Sequence, residues 1–390
     1  MARFWRKVAA VSFPITVVLV LVTLCFQFRS NVGFKALKIE KQPGPCALEV
    51  GHYCRVTVFF ATDRKSSRSS VGATEDNPLA FARATDFGPN RNDSDNPLTF
   101  GYLDVSIPAE HKVGHLEQPL PFFRQDPQHD LVVLNVHVST KTLFSSMLSR
   151  AVQLGNNEAL IFVHGYHVTF EEAARRTAQL AWDLQFRGIP ILFSWPSRGD
   201  LLYTADEDSA SWAVPHLKAF LELVAQRSGA RTIHIIAHSL GNRSLMYALQ
   251  QISMEHSSMP KFKQIVLAAP DIDTDIFRQL AVAFPSTADH VTVYASSHDR
   301  ALALSSLIHQ FSPIGRQPGS SRPLGTEIDL IDASVMSDDL FSLDHSYYAG
   351  NVLVLEDMAY VIRAGLLPAN RMLLDPHPSA GLPLYWTFRR

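Results

Sequence analysis

The chain has 390 residues, 35 of them Lys or Arg and 37 Asp or Glu, and its formal net charge is −2. This balance excludes the basic footprint of a nucleic-acid-binding domain, and 3 cysteines are too few for a disulfide scaffold. Charged residues make up 18%, below the roughly 25% usual in soluble domains, which indicates that part of the chain lies outside water.

The first element in chain order is an uncharged segment from Val8 to Phe28. Arg3, Arg6 and Lys7 precede it, and Arg29 ends it. About twenty residues at ~1.5 Å each are enough to cross the ~30 Å hydrocarbon core of a bilayer. We therefore predict a membrane anchor within residues 1–30, formed by one transmembrane helix.

Two other interpretations of this segment stay open. A cleaved signal peptide would need a small-x-small cleavage site, and none is evident. Cys25 would suit a lipid anchor, but Leu24 stands where a small residue is expected. Cys46 and Cys54 lie close together after the anchor and could form a disulfide in an exported protein. We expect the bacterial inner membrane, with the body on the periplasmic side.

Residues 31–157 read as a lead-in of short strands that packs on the next domain. Predicted strands cover Arg55–Phe60, Phe100–Ile107 and Leu131–Val138, which are rich in β-branched and apolar residues. The stretch Ser66–Asn96 is rich in Ser, Asn, Asp, Pro and Gly, which predicts a long exposed loop.

From residue 158 to about 375, short apolar runs alternate with helical patterns. The predicted strands are Ala159–Val163, Ile191–Trp195, Thr232–Ala237, Gln264–Ala268, His290–Ala295 and Glu327–Ile331. The predicted helices are Phe170–Phe186, Ser209–Arg227, Asn242–Ser253, Thr274–Phe284 and Ala301–Phe311. Continuous apolar strands separated by helices indicate an α/β fold with a mostly parallel sheet covered on both faces. Residues 376–390 remain as a C-terminal tail.

The sharpest motif is a serine between a strand and a helix. Ala237-His-Ser239-Leu-Gly241 matches the nucleophile elbow G-x-S-x-G, with alanine in the first position. Small flanking residues permit the tight turn, which places the hydroxyl of Ser239 at the positive end of the next helix. The alternative is a serine that only caps the helix.

A serine hydroxyl needs a base to remove its proton, and the base needs an acid to orient it. Where a serine occupies this kind of turn, the acid and then the base follow it along the chain. The base is expected after the last strand, which points to His345, with His377 as the alternative. The acid follows the penultimate strand, which points to Asp299. Asp271 and Asp273 are the alternatives; otherwise they cap a helix or line the pocket.

The oxyanion hole needs two backbone N–H groups near the serine. We expect one from Leu240 and the other from Tyr166, with His167 as the alternative donor. Several histidines are predicted near this edge of the sheet, namely His164, His167, His234 and His238, but their spacing fits no metal motif. We expect no metal and no cofactor, since no dinucleotide or phosphate-loop motif occurs.

These motifs also resemble a largely uncharacterised family of bacterial proteins with the α/β-hydrolase fold, described as predicted esterases or lipases. The matching segments are Val58–Arg64, Gly101–Pro108, Phe162–Tyr166, Phe193–Ser197, Ala237–Gly241, Tyr294–Ala301 and Asp344–Tyr347. The resemblance implies a serine hydrolase, with Ser239, Asp299 and His345 at the triad positions. His167 departs from it, since the family is expected to have asparagine there.

The expected function is a membrane-anchored serine hydrolase that forms an acyl-enzyme on Ser239. The expected partners are a small-molecule or lipid ester and the membrane, and nucleic acid is not expected. The alternative is a non-catalytic binding or envelope-assembly protein on the same fold. Ser197–Ser211 and Ser312–Gly325 are candidate lids. Esterase, thioesterase, amidase and acyltransferase activities would use the same residues.

Overall fold

The computed structural model describes most of the chain from residue 47 onward. The described residues are 47–48, 53–68, 72–119, 124–198, 203–255, 259–317, 328–335, 348–379 and 382–389. All of them belong to the unit Pro43–Arg390. Within these ranges no helix has both the length and the apolar character needed to cross a bilayer. The predicted anchor and His345 lie outside the described residues.

Fifteen strands are present in the part of the chain that the structure describes. They are β1 (Ala47–Leu48), β2 (Tyr53–Thr62), β3 (Arg64–Ser66), β4 (Leu79–Ala82), β5 (Phe87–Arg91), β6 (Thr99–Pro108), β7 (Val133–Ser139), β8 (Glu158–Val163), β9 (Ile189–Ser194), β10 (Thr232–His238), β11 (Gln264–Ala268), β12 (Val291–Ala295), β13 (Ile328–Asp332), β14 (Leu374–Ser379) and β15 (Leu382–Phe388).

The α-helices of the same residues lie mostly between these strands. They are α1 (Lys141–Leu154), α2 (Phe170–Asp183), α3 (Tyr203–Trp212), α4 (Val214–Arg227), α5 (Gly241–Met254), α6 (Thr274–Ala281), α7 (Phe284–Thr287), α8 (Arg300–His309) and α9 (Tyr348–Ala364). Short 3-10 turns cover Ala84–Asp86, Ile314–Arg316 and Pro368–Asn370.

One large sheet organises the described part of the fold. Its order is β14-β15-β13-β12-β11-β10-β8-β9-β2-β6-β7-β4, with β1 paired to β2. Neighbours from β15 through β13, β12, β11, β10, β8 and β9 to β2 are parallel, and the strands beyond them pair antiparallel. The prediction of a mostly parallel sheet is therefore confirmed. The carboxyl ends of the parallel strands meet at one edge, where sites form in such sheets.

The central strands of the sheet are buried on both faces. Along β8, Ala159, Ile161 and Val163 belong to one apolar core, whereas Leu160 and Phe162 belong to the other. Successive side chains of a strand point to opposite faces, so a continuous apolar run is required when helices cover both. This requirement explains why the sequence alone predicts the central strands.

Several segments differ from the sequence expectations. The predicted helix Ser209–Arg227 is two helices, α3 and α4, which divide at Ala213, just before Pro215. The predicted loop Ser66–Asn96 contains β4, which pairs with β7, and β5, whose Phe87 is buried in the core. Helix α1, unforeseen in the lead-in, is capped by Thr140. The C-terminal residues form the hairpin of β14 and β15, which extends the sheet.

Candidate active site

Ser239 lies at the turn between β10 and α5, near the middle of the carboxyl edge of the sheet. Its φ is +50°, a left-handed conformation that costs a non-glycine residue on the order of 1 kcal/mol. Its N–H donates to the carbonyl of Ala268 (3.0 Å) on the next strand. The side-chain amide of Asn242 donates to the carbonyl of Ser239 (2.9 Å). Hydrogen bonds to both the N–H and the carbonyl of Ser239 therefore maintain the strained turn.

Two glycines let neighbouring backbone approach this turn closely. A Cβ added to Gly165 would lie 2.8 Å from Cβ of Ser239 and 2.9 Å from Nδ1 of His238. A Cβ added to Gly241 would lie under 3.0 Å from the carbonyl oxygens of Val163 and His164. The loop after β8 therefore packs directly against the serine, as an oxyanion hole requires.

The two expected oxyanion donors occupy this junction. Leu240 is fully buried at the start of α5, where backbone N–H groups point out of the helix. Tyr166 directly follows Gly165, and its ring lies 5.3 Å from the ring of Tyr203. The N–H of His167, the alternative donor, is engaged by the carboxylate of Asp206 (3.2 Å). This contact favours Tyr166 over His167.

Asp299 follows β12 at the same edge and is 2% exposed. It is the N-cap of α8: its Oδ1 accepts a hydrogen bond from the N–H of Leu302 (2.9 Å), and its carbonyl accepts one from Ala303. The backbone of Asp299 is extended and the helix begins after it. This conformation, together with the bond from the N–H of Leu302, fixes the orientation of the carboxylate. The expected partner, His345, lies outside the described residues.

The two alternative acids have other roles in the structure. Asp271 is buried and accepts hydrogen bonds from the hydroxyls of Tyr203 (2.6 Å) and Ser305 (2.8 Å), one on each oxygen. Burial raises the pKa of Asp271, and the two hydroxyl contacts oppose that rise. Asp273 caps α6, where one oxygen accepts from the N–H groups of Asp275 and Ile276. Both oxygens of Asp271 are thus engaged by hydroxyl groups, whereas Asp273 caps its helix in the same way as Asp299 does.

His377, the alternative base, lies in β14 at the end of the sheet. It is exposed, and its ring stacks on Tyr385 with centroids 4.5 Å apart. Four strands separate β14 from β10. At about 4.8 Å per strand spacing, His377 lies roughly 24 Å along the sheet from Ser239. This distance excludes proton transfer between them and leaves His345 as the expected base.

The histidines around the site have separate environments. His164 is buried; burial and the nearby Arg64 hold the pKa of His164 well below its usual value, so the ring is neutral. His234 faces Phe186, and burial lowers the pKa of His234 to about 4. Across the described ranges, no group of three or more His, Cys, Asp or Glu side chains could hold a metal ion.

Two buried charged residues near the site were not recognised in the sequence. Arg64 is 1% exposed, and burial lowers its pKa to about 10, which leaves it charged at neutral pH. Asp206 is fully buried on α3, inside the stretch Ser197–Ser211 that was predicted as a candidate lid, with a solvated helix entry as the alternative. Arg64 belongs to one of the segments that carry the family resemblance, which was the available signal. Asp206 had none, because its acidic neighbours suggested solvent.

Cys54 takes part in a disulfide. The other two cysteines, Cys25 and Cys46, both lie outside the described residues. The pairing of Cys46 with Cys54 therefore stays a prediction.

Comparison with known proteins gives one family and a distant structural likeness. No curated protein sequence matches the chain. The structure of esterase B from Lactobacillus rhamnosis, described with a tributyrin phosphonate, is 12% identical, with a TM-score of 0.27, over 63% of this chain and 75% of that chain. A family model matches residues 137–364, more than half of the chain. The chain therefore belongs to the DUF900 family, the alpha/beta hydrolases of unknown function.

Proposed function

We propose that this protein is a serine hydrolase that cleaves carboxylic esters through an acyl-enzyme on Ser239. The observation that carries the proposal is the turn itself. A serine with φ of +50° is held at the carboxyl edge of the sheet, with Gly165 packed against its Cβ. Strain of this kind persists only where the surroundings enforce it, and it clusters at functional sites.

In the proposed reaction, Oγ of Ser239 attacks the ester carbonyl and its proton passes to His345. The N–H groups of Leu240 and Tyr166 stabilise the negative charge on the carbonyl oxygen. The tetrahedral intermediate collapses, the C–O bond to the alcohol breaks, and His345 returns the proton to the departing oxygen. Water then repeats the sequence on the acyl-enzyme and releases the acid. Asp299 orients the imidazole and stabilises its charged form.

We further propose that the segment Val8–Phe28 anchors this hydrolase in the bacterial inner membrane, with the body outside the cytoplasm. The disulfide of Cys54 supports that side, because disulfides persist in oxidising compartments and are rare in the cytosol. A body tethered at a bilayer would meet ester substrates with acyl chains, including lipids.

Covalent labelling of the full-length protein in detergent tests the catalytic proposal. A fluorophosphonate should add once, on Ser239, and peptide mass mapping should locate the adduct. Ser239→Ala should lose the adduct and reduce hydrolysis of a short p-nitrophenyl ester by at least about 10³-fold, with an unchanged thermal transition. Hydrolysis near the wild-type rate in Ser239→Ala would contradict the assignment. A folded wild-type protein without adduct or hydrolysis would favour the non-catalytic binding protein.

A further inference from the structure

We propose that Arg64 and Asp206 are positioning residues for the oxyanion loop, which we define as residues 164–168. Together they hold the backbone of this loop so that the N–H of Tyr166 is presented to the reacting carbonyl of a substrate on Ser239. This inference rests on the proposed hydrolase function. It gives a role to two sequence segments, Val58–Arg64 and Phe193–Ser197, that the proposed triad leaves without one.

Arg64 reaches the loop from the first position of β3, just after β2 ends. One of its terminal nitrogens donates to the carbonyl of Val168 (2.7 Å) and lies 3.4 Å from Nε2 of His164. Its other nitrogens donate to Oγ of Ser194 (2.8 Å) and to the carbonyl of Ser197 (2.9 Å). The guanidinium therefore joins both ends of the oxyanion loop to the segment after β9.

Asp206 reaches the same loop from α3. Its Oδ2 accepts from the N–H of His167 (3.2 Å) and from the hydroxyl of Ser197, and its Oδ1 accepts from the N–H of Arg198 (2.7 Å). Oγ of Ser197 in turn accepts from the N–H of Val168 (3.1 Å). Two consecutive loop amides are thus fixed, directly or through one hydroxyl, by a single carboxylate.

The geometry between these anchors explains why they matter for catalysis. His167 has a φ of +59°, which a histidine adopts at a cost and which its bonded N–H helps to maintain. The carbonyl of His164 is held by Nε1 of Trp195 (2.7 Å). With residues 164, 167 and 168 fixed, the peptide between Gly165 and Tyr166 has little freedom to turn away from Ser239.

The hydrogen bonds that Arg64 makes to described residues go to neutral groups, although its side chain is buried. Burying a charge in this way is costly unless the geometry is well satisfied. Burial lowers the pKa of Arg64, whereas the negative charges of Asp63, then Asp206 and Glu172, favour its charged form. The loop backbone thus hydrogen-bonds to a buried cation at Val168 and to a buried anion at His167, and both bonds oppose its displacement.

The test compares matched buried pairs in the full-length protein. Asp206→Asn and Arg64→Lys change the loop anchors and keep the side-chain volume nearly constant. Asp357→Asn and Arg371→Lys are the controls. Arg371 and Asp357 are equally buried and bonded to each other (3.1 Å), and Arg371 also contacts Asp329 and Thr292, near the amino ends of β13 and β12. Ser197→Ala, which removes one hydroxyl, is a milder third variant should a charge variant fail to fold.

Hydrolysis of a p-nitrophenyl ester and inhibition by an alkylboronic acid supply the catalytic readout. The boronic acid forms a tetrahedral anion on the serine and therefore mimics the transition state. We expect a 10- to 100-fold fall in kcat for each loop variant, with KM changed less than threefold. Affinity for the boronic acid should fall by the same factor as kcat/KM, and the control variants should change neither. A purely structural role would not make these two quantities fall together.

Hydrogen exchange of the peptide that covers residues 164–168 supplies a readout independent of activity. Exchange should accelerate at least tenfold in Asp206→Asn and stay at the wild-type rate in Asp357→Asn. Wild-type kcat, or wild-type exchange, in both loop variants of an active enzyme would overturn the positioning role and leave the hydrolase proposal standing. A wild-type protein without hydrolysis, boronic acid binding or Ser239 labelling would overturn both.

Discussion

At the scale of single residues, two carboxylates share one local structure, although only Asp299 is proposed as the acid of the triad. Asp299 and Asp273 each follow a parallel strand and each cap the next helix through one oxygen. Asp299 is 2% exposed, at the start of α8, whereas Asp273 is partly exposed. Capping alone therefore cannot assign the acid of the triad. The same substitution, made separately at Asp299 and at Asp273, can distinguish the two carboxylates.

Replacement of Asp299 by asparagine should separate capping from catalysis. The amide oxygen still accepts from the N–H of Leu302, so the free energy of unfolding should change by less than about 1 kcal/mol. Loss of the charge should lower kcat by about 10³- to 10⁴-fold, since the imidazole loses its orienting acid. Kinetics on a p-nitrophenyl ester and urea denaturation measure the two effects.

Asp273→Asn is the matched control for that experiment. It keeps the cap of α6 in the same way, and kcat should remain within about twofold of the wild type. The reverse result, with activity lost in Asp273→Asn and retained in Asp299→Asn, would transfer the acid to the strand β11 side of the site.

At the scale of elements, a histidine fastens the loop after β6 to helix α2. His111 contacts Glu117 through Nδ1 (2.8 Å) and Asp183 through Nε2 (2.9 Å), and its side chain is buried. The N–H of Gly114 also donates to Asp183 (2.7 Å). Burial alone would lower the pKa of His111, but the bonds to Asp183 and Glu117 outweigh it and raise the pKa to about 9.

This clamp predicts a pH dependence of stability. A histidine whose pKa is raised from 6.5 to about 9 on folding stabilises the fold fully below pH 6.5. The stabilisation is lost as the pH rises through 9, since the neutral ring no longer satisfies both carboxylates. The loss is at most about 3 kcal/mol. The free energy of unfolding in urea, measured at pH 6 and pH 9.5, should fall accordingly.

His111→Gln should flatten that profile between pH 6 and pH 9.5. His129→Gln is the control, because His129 is exposed in the same connection between β6 and β7. An equally steep profile in His111→Gln would show that other groups cause the pH dependence.

At the scale of the whole molecule, cysteine chemistry reports the compartment in which the body folds. The chain has 3 cysteines, so the predicted disulfide between Cys46 and Cys54 would leave Cys25 as a free thiol. Protein purified from membranes without reductant and then denatured should react with one equivalent of maleimide, and with three after reduction. Peptide mapping should place the disulfide between Cys46 and Cys54.

The orientation of the protein in the membrane is checked in the cells from which those membranes are prepared. If the body lies outside the cytoplasm, protease added to spheroplasts should degrade it and leave a cytoplasmic marker intact. Three reactive thiols without reductant, together with protection from protease, would contradict export.

The central part of the fold could be predicted because its signal is local. Strands such as β8 and β11 are continuous apolar runs, and burial on both faces of the sheet dictates that composition. The outer strands lack this signal. In β4 and β14 few side chains face a core, and prolines in β14 suit an edge strand, where one side of the ladder is unpaired. Their assignment depends on pairing with β7 and β15.

By itself, the sequence determined the order of the central strands β8 to β13 with helical segments between them. It also determined the position of Ser239, because small residues around a serine between a strand and a helix define the turn locally. Only the tertiary structure decided which groups Arg64 and Asp206 contact, and how the contacts and exposure of Asp271 and Asp273 compare with those of Asp299. Arg64 and Val168 are 104 positions apart in sequence, and Tyr203 and Asp271 are 68 apart. Hydrogen bonds over such separations leave no local pattern, since only the folded sheet brings their partners together.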